Sequence, residues 1–364
     1  MSVNYVKCPW PWFGGKADAA PLVWEALGDV DHYVEPFAGS LAVLLRRPHL
    51  ANRAYHSETV NDMDGLLVNA WRSIQHSPDA MAEAASWPVS EADLHARHLA
   101  LVKWRSERQL EHLMGDPDWH DPKMGGWWAW GQSAWIGSGW CSGTGGWVVG
   151  EDGRITRQAK AEGVSRKRPH LGNDGRGVNR PQLREEGTGE HEYHPMTMPE
   201  LRRWMQFLSA RLRHVRILNG DWARAVTNGA SKTLPVRQGG VVGIFVDPPY
   251  SAEAKRNNTL YSHEDLTVAH AVRKWALKRG TEKDTRIVLA GFDGEHNALE
   301  AEGWRSIEWF KDGFLRGGMG NTAKQDGDEH GTTHQQGRER LWLSPHCLGA
   351  VVPAQVGLFG LGGR

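Results

Sequence analysis

The residues with the clearest capacity for chemistry are Asp247-Pro248-Pro249-Tyr250, placed directly after the apolar, β-branched run 241–246. A continuous run of this kind is expected of a strand buried on both faces. Consecutive prolines carry no N–H and hold their turn stiffly, so their carbonyls stay free to accept. A carboxylate and a proline carbonyl can together take both hydrogens of an exocyclic amine and leave the nitrogen lone pair aimed at an electrophile. Tyr250 adds a flat face for a planar base. Four residues alone also fit a plainer account, an acid and a turn at a strand end held by ordinary packing.

Two further patterns end in acids. Tyr33-Val34-Glu35-Pro36-Phe37-Ala38-Gly39-Ser40 reads as a strand, a tight glycine turn and a helix start, which lets backbone approach a ligand closely. Glu35 at the strand end suits hydroxyl or ammonium groups better than phosphates, and the absence of GxGxxG disfavours a dinucleotide. Asn61-Asp62-Met63-Asp64 closes the strand expected over 55–60. An acid there can accept from both hydroxyls of a ribose, and Asp62 lies nearer the strand end than Asp64. The plainer account is an acid capping the next helix. Asp221 follows the strand expected over 215–218 in the same way, with Trp222 beside it to line an adenine pocket.

The elements that must position these residues alternate between strand and helix. Helices are expected over 19–26, from 41, over 65–74, 78–113, 199–213 and 263–278, and strands over 32–34, 286–290, 304–310 and 340–344 as well as those above. Strands followed by helices, with acids at strand ends, predict an α/β fold built on a parallel nucleotide-binding sheet. Residues 317–337 are polar and rich in glycine. The 364 residues could form two average domains or one large α/β domain with an insertion.

Composition narrows the classes. At 40% apolar and 24% charged residues the chain is of globular type. No run approaches the length of a membrane span, and the first residues lack the basic start and apolar run of a signal peptide. Three scattered cysteines, Cys8, Cys141 and Cys347, exclude a disulfide framework and a CxxC zinc site. They suit a reducing cytosol, so a cytoplasmic location and no metal are expected. The 43 basic and 43 acidic residues cancel, so a nucleic acid would have to be held by a local patch. Such a patch is present: residues 154–184 carry nine Lys and Arg, among them Arg166-Lys167-Arg168, Arg176 and Arg180. Seven of the 19 tryptophans lie between Trp119 and Trp147, interleaved with glycine and serine. They could stack on bases; the reading favoured here is that Trp127, Trp128, Trp130 and Trp135 form a compact apolar cluster.

Taken together, these residues resemble the Dam-like DNA adenine-N6 methyltransferases, a family that uses S-adenosylmethionine and includes methylases encoded by phages. Trp12-Phe13-Gly14-Gly15-Lys16 is similar to the family's N-terminal cofactor motif, and Glu35-Pro36-Phe37-Ala38-Gly39 to its FxGxG-type motif, with Leu41 where the family has a second glycine. Asp247-Pro248-Pro249-Tyr250 matches its DPPY, and the order of motifs is that of the Dam-like subgroup. The resemblance implies a Rossmann-like methyltransferase sheet, formed by residues 1–77 and 195–350, and a Trp/Gly-rich, basic target-recognition module inserted at 78–194. Residues 351–364 would form a tail.

It also implies roles. Trp12 and Lys16 would lie over the methionine end of the cofactor, with Glu35, Pro36, Phe37, Gly39 and Ser40 beneath it. Asp62 would hold the ribose, and Asp221 with Trp222 the adenine. The substrate would be an adenine flipped out of double-stranded DNA, gripped by Asp247 and Pro248, backed by Pro249 and stacked on Tyr250, with Phe292 opposite. Arg166, Lys167, Arg168, Arg176 and Arg180 would contact the DNA, and at least one could read a guanine edge. Cytosine-N4 methylation, RNA methylation and an inert nucleic-acid-binding role on the same fold stay open at this point. So do a restriction partner and the oligomeric state.

Overall fold

The computed structural model describes residues 7–12, 14–48, 57–107, 119–135, 140–141, 147–149, 155–157, 197–249, 268–309 and 339–349. Its strands are β1 (His32–Glu35), β2 (Ser57–Asp62), β3 (Trp147–Val149), β4 (Ile155–Arg157), β5 (Val215–Asn219), β6 (Val242–Val246), β7 (Thr285–Phe292), β8 (Arg305–Glu308) and β9 (Glu339–Leu343). Its helices are α1 (Ala20–Leu27), α2 (Ala42–Leu45), α3 (Gly65–His76), α4 (Pro78–Ala85), α5 (Glu91–Ser106), α6 (Pro122–Ala134), α7 (Met198–Leu212), α8 (Asn228–Ser231), α9 (Leu234–Arg237) and α10 (Val268–Arg279). The strands expected from sequence recur with ends moved by at most two or three residues.

Seven strands form one sheet in the order β5-β2-β1-β6-β7-β9-β8, while β3 and β4 make a separate antiparallel pair. The five strands from β5 to β7 are parallel, and β9 runs antiparallel to both of its neighbours. The chain moves outward from β1 through β2 to β5, then returns to lay β6 against the other side of β1. The order therefore reverses between β1 and β6, and in open α/β sheets the crevice beyond the strand ends at such a reversal is where ligands bind.

Both faces of the sheet are covered, which is why β6 has no polar side. Val242, Ile244 and Val246 share one core cluster with Ile287, Leu289 and residues Val272 and Ala276 of α10. Phe245, Val288 and Ala290 point the other way, into a cluster with Val23 and Leu27 of α1. The two-residue alternation of strand side chains sorts them.

Two stretches differ from expectation. The segment 78–113 is broken into α4 and α5. Pro88 disfavours helical backbone at Trp87, and Ser90 starts the new helix by accepting from the Asp93 N–H at 3.1 Å. The tryptophan-rich segment is a helix, α6, whose cap Asp121 accepts from Met124 N at 2.9 Å. Its glycines permit close packing: a Cβ on Gly126 would meet Ala84 backbone of α4 at 2.8 Å. Asn69 of α3 exchanges two hydrogen bonds with the Asp121 backbone, at 2.9 and 2.8 Å. Trp128 and Trp130 are fully buried, and Trp127 and Trp135 pack against the same cluster. Thus α4 and α6 share a continuous core with α1 and α3.

Candidate active site

The turn after β1 is stitched to its neighbours by backbone and by one buried amide. Ala38 N donates to Asn61 O at 2.8 Å. The Asn61 side chain donates to Pro36 O at 3.0 Å and Gly220 O at 2.9 Å, tying together the ends of β1, β2 and β5. Gly39 has φ 47°, and a Cβ there would lie 2.9 Å from Trp12 Nε1, so the indole can sit on this turn only because the residue is glycine. The turn is held from beneath by Trp71, whose Nε1 donates to Gly39 O at 3.0 Å. Leu41 takes φ 54° and ψ 26°, left-handed backbone that glycine adopts more cheaply, and its side chain is completely buried. Pro36 and Ser40 are buried, whereas Phe37 is partly exposed and stacks on Trp222 with centroids 6.0 Å apart.

The two acids after β2 divide the work. Asp64 caps α3, accepting from Leu66 N at 3.0 Å. Asp62 instead accepts from Gly39 N at 3.0 Å through Oδ2 and from Asp64 N at 2.9 Å through Oδ1. Each carboxylate oxygen has two lone-pair directions, and with the Met63 amide also acting on this carboxylate one acceptor position stays open. Burial pushes the Asp62 carboxyl up to about 6, against the pull of the Asp64 and Gly39 amides. Asp221 is exposed and accepts from Ala223 N at 2.8 Å, starting the short 3₁₀ turn that carries Trp222.

Glu35 is buried at the end of β1, its Oε2 accepting from the Tyr33 hydroxyl at 3.2 Å. Burial drives its carboxyl well above the ordinary carboxylate range; the Tyr33 hydroxyl opposes this, and the nearby Asp247 charge adds to it. Asp247 follows β6, in the next strand over from β1. Its Oδ2 lies 3.0 Å from the ammonium of Lys16, which also donates to Gly14 O at 2.9 Å and has Glu339 Oε2 at 3.9 Å. Lys16 is thus engaged on the Asp247 side of the crevice as well as on the glycine turn that precedes α1. Pro248 is buried and Pro249 partly so. Register pairs Val246 with Leu289, so β7 runs on for three residues, to Phe292, beside the Asp247 turn. Phe292 is partly exposed, and its N–H donates to Glu295 Oε2 at 3.0 Å.

One crevice therefore collects Trp12, Lys16, the Glu35–Ser40 turn, Asp62 and Asp247, residues far apart in sequence. It holds carboxylates of unlike character, a turn that only glycine permits, and an aromatic pair at its margin. Residues 12–98 match the family of D12 class N6 adenine-specific DNA methyltransferases. No curated protein matches the chain. The family match supports a Dam-like adenine methyltransferase, an enzyme acting on DNA with a methyl donor, and the mixed α/β sheet is consistent with that fold. It spans Trp12 to Asp62 of the crevice and continues through α4 into α5, past residue 78. Among the described residues no helix is long and apolar enough to cross a membrane, and no group of His, Cys, Asp and Glu is placed to hold a metal ion.

Tyr250, Phe13, Arg166, Lys167, Arg168, Arg176 and Arg180 lie outside the described residues. Three participants escaped the sequence reading: Asn61 as the stitch, Trp71 as the prop under Gly39, and Glu339 beside Lys16. Asn61 precedes an acid at a strand end, a signal that was available. Trp71 and Glu339 carry none, because their part depends on which elements become neighbours.

Proposed function

We propose that the chain transfers the methyl group of S-adenosylmethionine to the N6 amine of an adenine extruded from double-stranded DNA. The observation that carries this reading is the adjacency of the Glu35–Ser40 turn and Asp247 at the reversal of strand order. The crevice residues fit the cofactor. Asp62 would accept from the ribose hydroxyls, and the cofactor's ammonium would give the buried Glu35 carboxyl a counter-charge. Trp12 lies on the Gly39 turn over the methionine end, with Lys16 near it, while Pro36, Phe37 and Ser40 form the floor. Trp222, stacked on Phe37, lines the adenine, and the second oxygen of Asp221 is left for its amine.

When bound, S-adenosylmethionine supplies a methyl group on a sulfonium, already activated for in-line displacement. The protein's task is then chiefly positioning. Extruding the base costs a few kcal/mol and exposes an amine otherwise buried in the stack. Asp247 and the Pro248 carbonyl take its two hydrogens and aim the lone pair. Pro249 stiffens the turn, Tyr250 stacks on the ring, and Phe292 supplies the opposing face. Asp247 need not be a strong base, because the nitrogen sheds its proton after it has become cationic. Target recognition is assigned to residues 78–194, where Arg166, Lys167, Arg168, Arg176 and Arg180 would meet phosphates and a guanine edge.

The test is transfer of labelled methyl to double-stranded DNA, followed by digestion to nucleosides. N6-methyldeoxyadenosine is expected, and Asp247→Ala should abolish it while the protein still retains DNA. A methylated cytosine as product, or turnover by Asp247→Ala at the wild-type rate, would overturn the reading.

A further inference from the structure

The glycine turn after β1 is gripped between two indoles. Trp12 lies against one side, where a Cβ on Gly39 would be 2.9 Å from its Nε1. Trp71, 1% exposed, donates to Gly39 O at 3.0 Å from beneath. Two more indoles join this pair into a closed ring. Trp10 meets Trp71 with centroids 4.6 Å apart and meets Trp128 edge-on at 5.2 Å, and Trp128 meets Trp12 at 6.4 Å.

The members of the ring are fixed unequally. Trp10 and Trp12 belong to a segment with neither helix nor strand, so packing rather than a backbone ladder must orient their rings. Trp128 sits on α6, beyond the residues 12–98 that match the family. Its backbone is pinned: Asn69 holds the start of the helix at Asp121, and the Trp128 carbonyl accepts from Trp140 Nε1 at 3.0 Å. Gly131 makes room for that indole, since a Cβ there would lie 1.8 Å from the Trp140 ring. Trp128 is thus a completely enclosed wall, whereas the Trp12 indole that leans on it is partly exposed at the crevice.

We propose that Trp128 is a positioning residue for cofactor binding: it holds the Trp12 indole in place over the Gly39 turn. An indole that had to be ordered as S-adenosylmethionine arrived would subtract that ordering from the affinity, and one already wedged has little freedom left to lose. The affinity of the crevice would then depend on a helix of the inserted segment that acts only through Trp12. This rests on the reading of the Gly39 turn as the floor of the cofactor site and Trp12 as its cover.

The full chain is titrated calorimetrically with S-adenosylmethionine near neutral pH. Trp128→Phe, which keeps an aromatic ring but shortens the wall, should raise Kd about fivefold. Trp130→Phe is the control. Trp130 is equally buried but lies about 200° round the helix from Trp128, with its ring 4.3 Å from the Arg97 guanidinium and its Nε1 donating to Trp87 O at 2.8 Å. That variant loosens the opposite face of α6 and should leave Kd within about twofold of wild type. Trp12→Phe should also weaken binding, and adding Trp128→Phe to it should weaken binding by no more than about twofold further, because the wall then has nothing to hold.

Three results overturn the proposal: a Trp128→Phe chain that binds like wild type, a Trp130→Phe chain weakened as much as Trp128→Phe, or a double variant whose loss is the product of the two single losses. If Trp128→Phe does not fold, Trp128→Tyr goes through the same cycle under the same criteria. The reading of the site is judged separately. A wild-type chain that does not bind S-adenosylmethionine, or a Trp12→Phe chain that binds it as wild type does, removes the crevice assignment and the proposal with it. A weakened Trp12→Phe beside an unaffected Trp128→Phe removes only the positioning role.

Discussion

Asp62 makes the cofactor site sensitive to pH in a calculable way. With its carboxyl pushed up to about 6, it is roughly 90% ionised at pH 7 and roughly 10% at pH 5. Ribose hydroxyls donate best to the charged form, which already accepts from the Gly39 and Asp64 amides. Affinity for S-adenosylmethionine should therefore rise about tenfold from pH 5 to pH 7, the gain appearing as pH climbs through about 6. Asp62→Asn removes the charge and turns an NH₂ toward one of two amides that need an acceptor. The lost charge-assisted bond is worth about 1.5–3 kcal/mol, or roughly a 10- to 150-fold weaker Kd at pH 7. Isothermal titration of S-adenosylmethionine between pH 5 and 8 measures both effects. Burial raises the Glu35 carboxyl as well, so only the part of the pH dependence that vanishes in the variant belongs to Asp62. A wild-type Kd flat across this range, or a slope unchanged in Asp62→Asn, would refute the assignment.

Two further outcomes test the scaffold. Burial pushes Glu58 up, but Arg211 at 2.6 and 2.9 Å and Arg47 at 3.0 Å overcome this and hold it below its ordinary value. A depressed carboxyl stabilises the fold fully above its unfolded pKa and loses that contribution as pH falls through the folded one. Glu58→Gln should cost about 2–3 kcal/mol near neutrality, with the gap to wild type closing in acid when both are followed by urea unfolding; a gap that widens below pH 4 contradicts the sign. Leu41→Gly relieves left-handed strain of about 1 kcal/mol but forfeits a completely buried side chain worth about 2–5 kcal/mol. The variant should be less stable, and a higher Tm would show that backbone strain outweighs packing at this turn.

What was legible beforehand depended on local patterns. The β-branched run of β6, the glycine turn after β1 and the acids ending β1, β2 and β6 announce themselves through periodicity and turn chemistry, which are properties of neighbouring residues. The helix α6 did not, because glycine and tryptophan at its positions read as irregular until α4 is seen to press against Gly126. Likewise the sequence separated Asp62 from Asp64 only by its place nearer the strand end. Their division follows from Gly39 N lying within 3.0 Å of one of them, a contact made by an adjacent strand.

The amino-acid sequence by itself determined which segments become strands and helices, and which chemical groups stand at their ends, since those follow from short-range sterics and the spacing of apolar residues. Tertiary structure alone decided which of those groups meet. Lys16, Asp247 and Glu339 come together because the strand order reverses beside β1 and because one antiparallel strand begins at the edge where the parallel ones finish. Such encounters are set by how the whole sheet closes its two cores.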